Sequence, residues 1–332
     1  MLIQVTYPIL FYIGYSSERS AGKATVQMLK PKVYARILSK KKTLDNLRPL
    51  PIQLVKKLQE QMQIEFTYNS NAIEGNTLSL RETQLVIQEG ITVRGKSLKE
   101  HLEAKNHPDA INYVEKLAQE KAPIKQDDIL KVHALLMHGI DNQNAGKYRT
   151  GQVRVAGATF TPPPAQKIQT MINELLQTVS QNPDELRPIE LAAFFHHKFV
   201  YIHPFIDGNG RTARLLMNVI LMRNGYPFTV LLKVDRPKYL RALSEADNRN
   251  LTPFANFTAN SVERSLDIYL LAFEKETEIL TLKEASKLTP YTQEYLSLLA
   301  RKGNIGAFKL HRNWVITKKA LNEYLKTHPR NP

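Results

Sequence analysis

The sequence predicts a mainly α-helical protein: a helical core carrying a small β-hairpin flap, followed by a C-terminal module that alternates helices with short strands. Three observations carry this. Leu191, Phe194, Phe195, Phe199, Val200 and Ile202 are too densely apolar for a surface helix and suit a buried one. Leu215, Leu216, Val219, Ile220 and Met222 resume helical spacing after a short break. Between Gly146 and Pro164 the helical period gives way to alternation.

Taken along the chain, residues 1–44 read as an N-terminal arm. MLIQVTYPILFYIGY is apolar but short, is broken by Pro8 and lacks a basic leading region and a small-residue cleavage site. It makes a poor signal peptide and a worse membrane span, with Met28 as an alternative start. Ser79 and Glu82 form a capping box that opens a helix. In the 146–164 stretch Val153 and Val155 alternate with Arg154, Gly157 allows a turn, and the prolines 162–164 end strand pairing. Arg187 and Pro188 lead into the first buried helix, and Pro204 ends it. Asn224 and Gly225 stop the second. From Thr281 the pattern becomes Leu282–Leu288 as a helix, Tyr291–Ala300 as a second, two strands across 308–316 with Trp314 in the core, and a closing helix at Ala320–Leu325.

The two buried helices are joined by HPFIDGNGRTAR, His203 to Arg214. A helix start surrounded by glycine exposes backbone N–H groups and the positive end of the macrodipole, and two arginines add fixed charge. The loop is suited to a polyphosphate, and a nucleotide is its natural occupant. A histidine is largely neutral at pH 7 and can accept a proton, and one aspartate suffices for magnesium, which takes few protein ligands. His196, His197 and His203 do not read as a metal centre: adjacent helical histidines point apart and no HExxH pattern appears. Nor is there a Walker A loop.

HPFIDGNGRTAR resembles the signature of Fic-domain proteins, and the chain is similar to that family over roughly residues 45–275. The resemblance implies transfer of AMP from Mg-ATP to a Ser, Thr or Tyr hydroxyl of a protein. By it His203 is the base, Asp207 holds magnesium, and Gly208, Asn209 and Gly210 form an anion hole. Arg211 and Arg214 grip the outer phosphates.

Upstream, NSNAIEGN places Ser70, Glu74 and Gly75 in the pattern of the inhibitory helix of many Fic proteins, here at about 68–76. In that class the glutamate pairs with the second signature arginine, Arg214, and blocks the productive ATP pose; some relatives use it to help water remove AMP. Read alone, Ser70 and Glu74 are ordinary i,i+4 neighbours. Residues 150–164 resemble the Fic flap that holds a target segment by strand addition, with Thr159, Phe160 and Thr161 as its contacts. Read alone, they are a surface hairpin. Residues 236–254 resemble the stretch that covers adenine, with Tyr239 as the stacking ring. Asp247 stands where asparagine would offer the base a hydrogen bond.

With 46 Lys and Arg against 31 Asp and Glu, the net charge of +15 favours acidic partners such as nucleotides, nucleic acid or acidic proteins. Zero cysteines exclude disulfides and thiolate metal sites and fit a reducing, cytoplasmic setting without a membrane partner. Residues 280–330 resemble a winged helix-turn-helix, whose partner is DNA or another protein. Residues 281–332 hold ten Lys or Arg and three Glu, a net of +7. The second helix offers Gln293 and Glu294, not a row of arginines, to a groove. The rival function is therefore a DNA-binding regulator with a nucleotide-sensing core. Homodimers and self-modification accord with the resemblance, and the sequence identifies no interface.

Overall fold

The computed structural model describes residues 28–120, 122–155, 160–273, 279–302, 304–310 and 313–328. Residues 1–27 of the expected arm, and Gly157 and Thr159 of the expected flap, lie outside these. The core consists of α1 (Pro31–Asn46), α2 (Ile52–Ile73), α3 (Leu80–Glu89), α4 (Leu98–Gln119), α5 (Gln126–Met137), α6 (Ile168–Gln181), α7 (Pro188–Ile202), α8 (Asn209–Arg223), α9 (Arg236–Asp247) and α10 (Thr252–Phe273). The terminal module runs β1 (Ile279–Thr281), α11 (Leu282–Lys287), α12 (Gln293–Lys302), β2 (Ala307–Leu310), β3 (Asn313–Thr317) and α13 (Lys318–Thr327).

Helix α8 is the axle of the core. Every residue from Arg211 to Leu221 is buried, because α7, α4, α5 and α2 close around it. A helix enclosed on all faces holds its polar residues as rigidly as its apolar ones. Helix α7 supplies the fully buried Phe195 and Phe199 to the same core. The break between them is short because His203, in the left-handed conformation at φ 51°, caps α7 and turns the chain straight into α8.

One expectation, the hairpin, needs correction. At the end of the 1–44 arm, residues 31–46 form α1, which packs on α10. Arg36 and Lys40 bind Glu263 at 2.8 and 2.9 Å, and Lys40 binds Asp267 at 2.7 Å. The 150–164 segment contains no strand among its described residues. Its two arms are held by side chains instead: Gln152 Nε2 donates to the Pro162 carbonyl at 2.9 Å and Arg149 Nη2 to the Pro163 carbonyl at 2.6 Å. Prolines carry no N–H for a ladder, so side-chain donors take over.

The terminal module has its own core around Leu280, Leu296, Leu299, Ile316 and Leu321, with Trp314 partly buried against it. Its antiparallel sheet has the order β1-β3-β2, the pairing running through Leu280 opposite Ile316 and Phe308 opposite Val315. Among the described residues no helix is long and apolar enough to cross a membrane.

Candidate active site

The loop 203–208 is fixed from below before any ligand is considered. Asn209 closes it: the Phe205 N–H donates to Asn209 Oδ1 and Asn209 Nδ2 donates to the Phe205 carbonyl, both at 2.9 Å. Its side chain thereby ties residue 205 to the first turn of α8, with one N–H of Nδ2 used in doing so. The N–H groups of 209–211 begin α8 and have no intrahelical acceptor, since the first helical bond runs from Thr212 to the Gly208 carbonyl.

His133 supports the loop from the side. It stacks on Phe205 with ring centroids 3.6 Å apart. It accepts from the Gly146 N–H at 3.0 Å through Nδ1, so its proton sits on Nε2 and is donated to the Asp207 carbonyl at 3.0 Å. Burial pushes its pKa down to about 4, which keeps that neutral arrangement. Arg149, 3 % exposed, clamps the other end, with Nε donating to the His203 carbonyl at 2.8 Å.

These supports aim His203. Its Nδ1 lies 3.2 Å from the Val200 carbonyl, which can only accept, so Nδ1 carries the proton and Nε2 is left as the basic nitrogen. Burial holds its pKa below the usual 6.5, and the ring is neutral at pH 7. Asp207 stands at the rim with its side chain 44 % exposed, its Oδ1 on Arg211 Nη2 at 3.2 Å and its Oδ2 on Lys99 Nζ at 3.0 Å. Burial opposes its charge, and Arg211, Lys99 and the Gly208 N–H more than offset that, leaving the carboxyl below its usual range. A rim-exposed, ionised oxygen donor fits a magnesium ion that takes its other ligands from phosphate and water.

Both signature arginines are buried. Arg211, 1 % exposed, approaches Glu103 Oε1 at 3.1 Å as an ion pair, yet its Nε and Nη1 lack an aligned hydrogen-bond acceptor. Such donors are costly inside a protein, and the Glu103 carboxylate offsets part of that cost. Arg214, 0 % exposed, donates through Nε to Ser70 Oγ at 2.9 Å and through Nη2 to the Ser70 carbonyl at 2.9 Å and Glu74 Oε1 at 2.7 Å. Burial works against its charge, and Glu74 beside it outweighs that and holds the guanidinium above its usual value.

Glu74 is the last residue of α2's reach, and Gly75 follows at φ 106°, a backbone angle that favours glycine where the chain leaves the helix. The Glu74 carboxylate lies directly over Gly210, where any Cβ would overlap Oε1. An anion belonging to the protein itself therefore occupies the start of α8.

Tyr239, the expected stacking ring, and Asp247, which stands where asparagine would offer the base a hydrogen bond, are both engaged within the protein. Tyr239 is 3 % exposed, tilted against Phe254 and Phe257, with its hydroxyl 3.5 Å from Arg214 Nη1 and 3.3 Å from His196 Nε2. The reason is its helical spacing: Tyr239, Ala242, Leu243 and Ala246 form the buried face of α9. Asp247 is taken by His197 Nε2 at 2.9 Å. Of the flap contacts, Phe160 stacks on Tyr201 at 4.8 Å and Thr161 is exposed. His196 is fully buried and neutral, and among the described residues no three His, Cys, Asp or Glu gather as a metal centre.

Helical packing, a neutral histidine and a helix N-terminus beside two buried guanidinium groups define a helical domain whose α8 start is covered by its own Glu74 carboxylate. The profile of the Fic/DOC family matches residues 123–221. "Protein adenylyltransferase Fic" of Nematostella vectensis is 40 % identical over 218 residues, 65 % of this chain and 51 % of that protein. "Protein adenylyltransferase fic-1" of Caenorhabditis elegans is 35 % identical over 243 residues, 72 % of this chain and 47 % of that protein. The chain spans about half the length of the curated relatives it matches. Among solved structures, a Fic domain containing signaling protein from Bacteroides thetaiotaomicron superposes with a TM-score of 0.66 at 31 % identity, covering 72 % of this chain and 96 % of the other. Fic-1 from C. elegans gives 0.65 at 32 %, covering 73 % and 72 %. This chain belongs to the Fic/DOC family.

Proposed function

We propose that the protein transfers AMP from Mg-ATP to a Ser, Thr or Tyr hydroxyl of a protein and is restrained by Glu74. The observation that carries this is the Glu74 carboxylate, seated over Gly210 on buried Arg214 beside a neutral His203. The names of the relatives support the reaction class.

In this reading Nε2 of His203 takes the proton as the target oxygen bonds to the α-phosphorus and the bond to the β-phosphate oxygen breaks, releasing pyrophosphate. The N–H groups of 209–211 face the α-phosphate, and Arg211, with its unsatisfied donors, and Arg214 hold the outer phosphates. Asp207 would hold magnesium, which neutralises phosphate charge when bound. Arg214 cannot serve Glu74 and a terminal phosphate at full strength together, so the resting protein is self-restrained.

Incubation with α-labelled ATP tests this. Glu74→Gly should label protein more than the unaltered chain and His203→Ala should label none; an unlabelled Glu74→Gly protein would end the proposal. The DNA-regulator reading has less support, since the exposed face of α12 presents Gln293, Glu294, Tyr295 and Leu298 besides Arg301 and Lys302. A salt-dependent shift of duplex DNA that survives His203→Ala would favour it.

A further inference from the structure

Asp207 is not an idle ligand awaiting a cation; it already has one. Lys99, on the first turn of α4, places Nζ 3.0 Å from Asp207 Oδ2. The same ammonium lies 4.0 Å from Glu103 Oε1, which lies 3.1 Å from Arg211 Nη1, and Arg211 Nη2 returns to Asp207 at 3.2 Å. Lys99, Asp207, Arg211 and Glu103 thus close a ring of alternating charge. Its two inner members, Arg211 and Glu103, are 1 % and 10 % exposed at the side chain, and Asn76 Nδ2 fixes Glu103 at 2.9 Å. Lys99 and Asp207 are 55 % and 44 % exposed, so the bond between them is the weak side of the ring.

We propose, on the basis of the nucleotide reading above, that Lys99 is a built-in counter-ion that competes with the divalent cation for Asp207 and so sets how much metal the site requires. The competition is electrostatic: an ammonium 3.0 Å from Asp207 Oδ2 already neutralises part of the carboxylate's charge and repels a divalent ion brought to the same group. A hard, compact divalent ion would displace the flexible ammonium progressively as its concentration rises, so the ammonium raises the apparent Kd for the metal. The Lys99 pair adds little to the fold, because exposed pairs of this kind are weak. It acts on a different group from Glu74, which occupies Arg214 and not Asp207.

The test measures Mn²⁺ uptake directly from the spin-resonance signal of free Mn²⁺, with a saturating non-hydrolysable ATP analogue and the full chain carrying Glu74→Gly. Adding Lys99→Gln should tighten the apparent Mn²⁺ Kd by about two- to five-fold, the range expected for an exposed pair. Lys99→Arg should keep the starting affinity. So should Lys96→Gln, which removes the same charge from a side chain bonded to Thr77 and not to Asp207. Unchanged or weaker Mn²⁺ binding in Lys99→Gln overturns the proposal, as does equal tightening by Lys96→Gln. If Asp207→Asn binds Mn²⁺ as well as the parent, the failure lies in the nucleotide-site reading itself.

Discussion

Replacing Glu74 by glycine should tighten nucleotide binding roughly ten-fold while making the empty protein less stable. The Glu74 Oε1 to Arg214 Nη2 bond is 2.7 Å long, with the arginine side chain 1 % and the glutamate 43 % exposed. A hydrogen bond to a charged group contributes about 1.5–3 kcal/mol, and the half-exposed carboxylate argues for the lower end. A terminal phosphate must displace that bond, so its removal returns about 1.4 kcal/mol, a factor of ten in Kd. In the empty variant the buried guanidinium keeps its two bonds to Ser70 and loses its counter-charge. Its melting temperature should fall by about 2–4 °C, and saturating nucleotide should more than restore it. Titration calorimetry with a non-hydrolysable ATP analogue and magnesium, paired with thermal melts, reads both effects. A lower melting temperature with unchanged affinity would mean that the pair serves the fold alone and does not restrain nucleotide binding.

The remaining expectations concern the base, the loop and the buried tyrosine. Because burial holds the His203 pKa below 6.5, protonation disables the base only under acid conditions; the acidic limb of kcat/KM for labelling should have its midpoint below pH 6.5 in the Glu74→Gly protein. Asn209→Ala removes both bonds that close the 205–209 loop and leaves the Phe205 N–H and carbonyl without these partners; labelling should drop at least ten-fold with a lowered melting temperature. Tyr239→Phe keeps the packed ring and loses only the long hydroxyl contacts, so the preference for ATP over GTP should not change, whereas a base-stacking role would make Tyr239→Leu alter that preference.

The chemistry-bearing loop is legible in the sequence because its parts are contiguous: histidine, aspartate, glycines and both arginines fall within twelve positions and between two apolar helices. The Ser79–Glu82 capping box is legible for the same reason, and the structure contains both of its bonds. What holds the loop is not local. His133 reaches Asp207 across 74 positions, Arg149 reaches His203 across 54, and Ser70 meets Arg214 across 144. Single histidines and arginines carry no spacing that announces such partners. Tyr239 is a different case, since its own spacing with Ala242, Leu243 and Ala246 already describes a buried stripe. Helix α1 went unread because its apolar content is thin; Ile37 and Leu44 are its buried residues, and ion pairs to Glu263 and Asp267 supply part of the attachment. Strand β1 is three residues long and is defined by its partner β3, not by its own pattern.

On the proposed function, the start of α8 is a triphosphate site that Glu74 fills in the resting state. A crystal structure of the Glu74→Gly protein with ATP and magnesium tests it most directly. Outer phosphates should lie on Arg211 and Arg214, the α-phosphate against the N–H groups of 209–211, and His203 Nε2 should face the attacking side. Nucleotide bound elsewhere, or Arg214 still held by Ser70 with no phosphate near it, would overturn that assignment.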